Sequence, residues 1–184
     1  MGDIDARIFR VLNAAMSGHI VLAIAAALTV IGEGWTLLAF VPLLAFTRTR
    51  RFGAAMVGTC VATAVAVFAL KSIVQRVRPC NSLADVHARI FAAPSDYSFP
   101  SGHAAGSFAC ATFAAMIVAS RSDWGARRWA AAALLLFFAA AIALSRVALG
   151  VHFPGDIAAG AALGASFGVF GARLHLRSSD RAQP

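Results

Sequence analysis

The chain has 184 residues, 60% of them hydrophobic and only 13% charged, with a formal net charge of +8. A soluble domain carries about a quarter charged residues, so the composition excludes an ordinary soluble domain and points to an integral membrane protein. The positive charge would suggest a nucleic-acid partner in a soluble chain; here the arginines gather at the ends of apolar segments, so topology explains them and no nucleic acid is expected.

Residues 1–17 carry two aspartates and lack the basic-then-apolar pattern of a cleaved leader. Ile4, Ile8, Val11, Leu12 and Ala15 share one face at helical spacing, which predicts an amphipathic helix lying on the membrane surface. Apolar segments at 18–32, 35–48, 53–76, 101–119, 127–147 and 154–176 read as six spans. The first two are short and joined by the Gly-rich "IGEGW", so a re-entrant pair is the competing reading there. The expected fold is all-α: an integral membrane six-helix bundle over 18–176, preceded by the interfacial helix 1–17 and followed by a polar cytoplasmic tail, 177–184. Gly160, Gly164 and Gly168 recur every four residues, a spacing that lets helices approach closely. Packing within the bundle is the first reading of that face, and a homo-oligomer contact the second. Cys60 and Cys110 lie in apolar runs as small packing residues, and Cys80 sits in a loop. No Cys or His spacing suggests a metal site.

Charge sets the expected orientation. With six spans and both termini cytoplasmic, Arg7 and Arg10, Arg48 to Arg51, Arg121 to Arg128, and Arg173 to Arg181 all fall on the cytoplasmic side, as the positive-inside rule asks. Lys71, Arg76, Arg78, Arg89 and Arg146 then lie at the outer face against that rule. An anionic ligand gives them a reason to be there.

Three outer segments carry the chemistry. In "KSIVQRVRP", Lys71 and Arg78 are seven apart, which returns them to nearly one helix face, and Pro79 favours a helix end. Snorkelling explains one such cation, but two on one face beside other charged segments less well. In "FPSGH", Pro100, Ser101 and Gly102 precede an apolar helix. Its free N–H groups and partial positive charge favour an oxyanion, Gly102 leaves the backbone open, and His103 sits in the first turn. In "SRVALGVHFPGD", Gly150 turns the chain between Arg146 and His152, and Pro154 opens the last helix. Asp156 can accept the His152 N–H and leave the other ring nitrogen as a nucleophile, or simply cap the helix. Together the segments hold an inventory for phosphoryl transfer: cations, helix N-termini, a nucleophile and a separate acid–base.

These motifs resemble the type 2 phosphatidic acid phosphatase superfamily. Its pattern, Lys-x6-Arg-Pro, then Pro-Ser-Gly-His, then Ser-Arg-x5-His-x3-Asp, is complete and in order here, over roughly residues 20 to 176. The resemblance implies that His152 attacks phosphorus, giving a phosphohistidine, and that Asp156 orients it. It implies that His103 protonates the leaving oxygen and later activates water. Lys71, Arg78 and Arg146, with Ser101 and the Gly102 amide, would hold the phosphate oxygens. No cofactor or metal is implied. The small size and "SFPSGHA" are similar to bacterial undecaprenyl-diphosphate phosphatases, so undecaprenyl diphosphate is the expected substrate. Phosphatidylglycerophosphate or phosphatidate comes next, and a non-catalytic lipid-phosphate binder or transporter is the different-class alternative. Arg76 and Arg89 are candidates for a second phosphate or for anionic lipid. The expected location is a bacterial inner membrane with the site facing outward.

Overall fold

The computed structural model describes residues 2–33, 40–89 and 93–180, and among them there is no strand. Among the described residues seven α-helices follow in order: α1 (Gly2–Ala15), α2 (His19–Ile31), α3 (Arg50–Val74), the short α4 (Pro79–Ser82), α5 (Gly102–Ala119), α6 (Arg127–Ala148) and α7 (Pro154–Asp180). Four stretches are long and apolar enough to cross a membrane: α3 with its continuation to Ser82, α5, α6 and α7. α1 and α2 form a fifth candidate, bent by 113° between them.

The six-span expectation changes at one place. Residues 35–39 of the second expected span lie outside the described residues, and its described part, 40–48, is a 3-10 turn followed by turns. α2 has 13 residues, about 20 Å at helical rise, which is too short to cross a hydrocarbon core of about 30 Å alone.

The bundle is packed on small side chains. Ala104, Ala105, Ala109, Ala139 and Ala143 are buried, whereas Phe68, Phe137 and Phe170 point outward, 74%, 68% and 63% exposed. Small inside and large apolar outside is the pattern of helices whose surroundings are lipid. The glycine face of α7 is the tightest contact. A Cβ at Gly160 would lie 2.5 Å from the Ser101 carbonyl oxygen and one at Gly168 2.7 Å from that of Ala109. At Gly164 it would collide with the Ala105 carbonyl. That face is therefore filled by α5, so the alternative of an oligomer contact through it does not hold. The contact sets how closely the N-termini of α5 and α7, which carry the site, can approach.

α1 docks at this same end. Phe9 is fully buried against Phe153, Val147 and Val86. Asn13 donates to the carbonyls of Val147 at 2.8 Å and Ala148 at 3.1 Å, satisfying free carbonyls at the end of α6. Ile4 and Val11, by contrast, are 71% and 69% exposed. α7 runs from this end for 27 residues, about 40 Å. The N-terminal helix and the end of α7 therefore lie at opposite ends of the bundle, not on the one face expected for both termini.

Substituting Gly164→Val should lower the thermal midpoint, at a cost of about 1–3 kcal/mol for overpacking. Gly58→Ala, with nothing within 4 Å of the added carbon, should leave the midpoint unchanged or higher. Thermal unfolding in detergent measures both, and equal midpoints would contradict the packing described.

Candidate active site

The three sequence segments meet at the end of the bundle where α3 stops and α5 and α7 begin. The route of the first differs from expectation. α3 ends at Val74, with Gln75 in the left-handed region at φ 50° as its C-cap, and residues 75–78 are not helical. Lys71 and Arg78 thus converge because the chain breaks and folds back, not because they share a helix face. Pro79 opens α4 rather than ending α3.

His152 is held in the turn that the sequence suggested. α6 ends at Ala148, and Gly150 takes φ +78°. A side chain there would also lie 2.7 Å from the His87 carbonyl, so this turn requires glycine twice over. The N–H groups of Val151 and His152 return to the Arg146 carbonyl at 3.1 and 3.3 Å, and Pro154 starts α7.

The imidazole is 1% exposed. Arg78 Nη1 lies 2.9 Å from His152 Nε2. A guanidinium can only donate, so Nε2 carries the lone pair and Nδ1 the proton. Nδ1 faces the Asp156 carboxylate at 3.5 Å and Ser98 Oγ at 3.4 Å. Burial lowers the His152 pKa to about 4, against the hydrogen bond and charge of Asp156, which raise it; the nearby Arg78 and Arg146 lower it further. The ring is neutral near pH 7, as a nucleophile must be.

Asp156 is fully buried, and both its oxygens are used. Oδ2 accepts from Ser98 Oγ and from the Phe153 N–H at 2.9 Å, and Oδ1 accepts from Arg76 Nη1 at 2.8 Å. It serves the helix start and faces His152 at once, so the two sequence readings of Asp156 describe one arrangement.

Arg78, 4% exposed, also donates from Nε to the Asp96 carbonyl at 2.9 Å, from Nη1 to the Val151 carbonyl at 2.9 Å, and from Nη2 to the Asp96 carboxylate at 2.8 Å. Lys71 pairs with the same carboxylate and donates to the Tyr97 carbonyl at 2.6 Å. Asp96 therefore bridges the two cations, with its side chain 58% exposed. Burial works against its ionisation, but the Lys71 hydrogen bond and the charges of Arg78 and Lys71 outweigh that and hold it below the usual carboxylate range.

Arg146 is buried at the end of α6 and donates from Nη1 to Thr29 Oγ1 at 2.9 Å, while its Nε has no hydrogen-bond partner. His103 Nε2 is likewise buried without a partner. His103 lies within electrostatic range of Arg146, His152, Arg78 and Lys71. Ser101 caps α5 by accepting from the Ala104 N–H at 3.4 Å, and its own N–H donates to the Asp156 carbonyl at 3.1 Å. A Cβ added at Gly102 would meet only the Val67 side chain, at 3.8 Å. An apolar cavity of about 730 Å³ opens below, between α3, α5 and α6, from Lys71 and His103 to Phe52.

All eight sequence-predicted residues are thus at one end of the bundle. Arg76 is tied to Asp5 and Asp156, and the exposed Arg89 donates to the Asn13 and Ala148 carbonyls. Sequence reasoning missed Asp96 and Ser98. Both sit in the loop just before "FPSGH", where an acidic residue beside an anion site was the available signal.

This arrangement defines a membrane enzyme acting on a phosphate ester or anhydride, and the comparisons place it in a family. The PAP2 superfamily pattern matches residues 51–180. The decaprenylphosphoryl-5-phosphoribose phosphatase of Mycobacterium tuberculosis is 38% identical over 151 residues, covering 80% of this chain and 76% of its own. The undecaprenyl-diphosphatase of Sulfolobus acidocaldarius is 34% identical over 122 residues, covering 66% of this chain and 54% of its own. Among solved structures, LpxE of Aquifex aeolicus matches with a TM-score of 0.74 at 27% identity, over 91% of this chain and 93% of its own. The chain belongs to the PAP2 superfamily. It is a multi-pass membrane protein and a lipid-phosphate hydrolase.

Asp96 competes with any anion for Lys71 and Arg78. Asp96→Asn should tighten binding of inorganic phosphate about five-fold, the scale of an exposed ion pair of up to ~1 kcal/mol. Calorimetric titration of the purified protein checks this, and unchanged or weaker binding would contradict it.

Proposed function

We propose that the protein removes the terminal phosphate of a polyprenyl-carried lipid through a phosphohistidine on His152. The observation that carries the reading is the Arg78 contact with His152 Nε2. It sets a permanent cation beside the only free lone pair of an oriented, buried imidazole. A phosphate entering there gives Arg78 and Lys71 a doubly charged partner in place of Asp96, and charge-assisted bonds of that kind are stronger than the one to a neutral ring nitrogen. Arg78 then leaves Nε2 for a phosphate oxygen, and the lone pair faces phosphorus.

Nε2 attacks in line. The N–P bond forms as the bond from phosphorus to the leaving oxygen breaks. Lys71, Arg78 and Arg146 stabilise the charge on the peripheral oxygens, with the Gly102 amide and the start of α5 behind them. Asp156 keeps the proton on Nδ1 and stabilises the ring as it becomes positive. His103, with its unpartnered Nε2, takes up a proton as the phosphate's charge offsets the surrounding cations, and delivers it to the leaving oxygen. Neutral again, it takes a proton from water as that water attacks the phosphohistidine. Inorganic phosphate leaves and Nε2 is restored.

The apolar cavity directly below Lys71 and His103 supports a lipid tail on the substrate. Undecaprenyl diphosphate is the first reading, since its terminal phosphate presents the charge that the cations match. Decaprenylphosphoryl-5-phosphoribose is the second, favoured by the mycobacterial relative's identity over most of the chain. Both end in a phosphate on a polyprenyl carrier. The arginines at positions 48–51, 121–128 and 173–177 lie at the end of the bundle opposite the site, which supports a bacterial inner membrane with the site facing outward. α1 would then lie at the outer interface with Ile4 and Val11 toward lipid.

The purified full-length protein should release phosphate from both polyprenyl substrates faster than from phosphatidylglycerophosphate or phosphatidate. His152→Ala should abolish release; substantial turnover by that variant would sink the assigned nucleophile, and a preference for phosphatidate the substrate class. In a background lacking Cys80, an impermeant thiol reagent should label Ile4→Cys in intact cells and Arg177→Cys only after lysis. The reverse pattern would overturn the orientation.

A further inference from the structure

Asp156 has a partner that the phosphatase chemistry above does not use. Arg76 donates from Nη1 to Asp156 Oδ1 at 2.8 Å and from Nη2 to Asp5 Oδ2 at 2.6 Å. Asp5 lies on α1, outside the stretch matched by the family pattern. Its other oxygen accepts the Gly155 N–H at 2.9 Å, on the first turn of α7. Arg76 is fixed from two further directions. Its guanidinium lies 4.1 Å from the centre of the Phe153 ring, and its carbonyl accepts the Ser98 N–H at 2.7 Å. Ser98 in turn donates to Asp156 Oδ2. The side chains are largely enclosed, at 15% exposure for Asp5, 25% for Arg76 and none for Asp156.

The result is one line of alternating charge, Asp5, Arg76, Asp156, His152, that begins on the N-terminal helix and ends on the nucleophile. A buried carboxylate with one oxygen unpaired would be free to rotate and costly to keep charged. Arg76 removes both problems. An arginine held against one carboxylate alone would also draw charge away from His152, and Asp5 offsets that by sharing the guanidinium.

We infer that Arg76 and Asp5 are positioning residues for the His152–Asp156 pair, so that α1 completes the active site rather than merely covering it. This rests on the assignment of His152 as nucleophile. Neither residue touches phosphate. Arg76 sets the orientation and charge of Asp156, and Asp5 sets those of Arg76.

A purely structural role for α1 and this one differ in the pH profile. The acid limb of kcat/KM reports the group that must be unprotonated in free enzyme, here His152. The other groups around its ring are Arg78 from the loop after α3, with Asp96 behind it, His103 on α5, Arg146 on α6 and Asp156 on α7, with Lys71 beyond. All of these stay the same across the variants, as does the ionisation of the substrate. Arg76→Met removes a positive charge behind Asp156, which favours imidazolium, so the acid limb moves to higher pH. Asp5→Asn removes a negative charge and leaves Arg76 undivided, so the acid limb moves to lower pH. In both, kcat should fall about ten- to hundred-fold, the scale seen when the outer partners that orient metal-ligating histidines are removed, with KM little changed. Arg76→Lys should bring the limb part of the way back. Arg10→Gln, which loosens the exposed α1 contact with Asp85, is the control and should not move the limb.

The experiment is the pH dependence of kcat/KM for these full-length variants on one polyprenyl substrate. Opposite shifts for Arg76→Met and Asp5→Asn support the inference. Limbs that stay put, move together, or move with Arg10→Gln overturn it. Should Arg76→Met fail to fold, the near-isosteric Asp5→Asn decides alone by a downward shift or none. His152→Ala, run in parallel, separates the two failures: a dead His152 variant with unmoved limbs sinks this inference only, while an active one sinks the nucleophile itself.

Discussion

The site depends on a guanidinium held against the lone pair of a buried imidazole. Arg78 can only donate, so its contact with His152 Nε2 fixes where the ring proton is. From that one contact the rest follows. Nδ1 must find an acceptor, which Asp156 supplies; Asp156 must then be held, which Ser98, the Phe153 amide and Arg76 do. Arg78 itself must be balanced, and Asp96 bridges it to Lys71. Charge alternates outward from the nucleophile in two directions, toward the mouth through Arg78 and Asp96, and toward the N-terminal helix through Asp156 and Arg76.

The membrane bundle exists in a form that allows this concentration of charge. Glycines on α7 let α5 approach to backbone contact, so two helix N-termini stand side by side at one end. The same small side chains that make the core tight leave large apolar ones outside, where lipid replaces water. Charges are confined to the ends of the bundle: a dense, mutually paired set at the site end, and arginines at the other. The apolar cavity joins the two regimes, running from the cations into the bundle.

Much of this was legible in the sequence because the motifs are local. Gly150, Pro154 and Asp156 lie close enough to His152 that the turn, the helix start and the orienting carboxylate could be read from spacing. The route from Lys71 to Arg78 was misread because periodicity cannot reveal a left-handed residue such as Gln75 ending a helix early. The second expected span was read from its apolar character alone, and its described part, 40–48, forms a 3-10 turn and further turns. Asp5 was beyond reach, since 71 positions separate it from Arg76, and only the packed fold places α1 against the start of α7. The expectation of both termini on one side rested on counting six spans, whereas α1 packs at the site end.

The claim that everything else serves is a covalent bond between His152 and phosphorus. Full-length protein mixed briefly with a polyprenyl substrate labelled in its terminal phosphate, quenched in alkali and digested, tests it directly. Label is expected on the peptide containing His152, as an alkali-stable, acid-labile adduct that fades as free phosphate appears. Label on His103, or turnover at the normal rate with no labelled peptide under conditions that trap the intermediate, would contradict it.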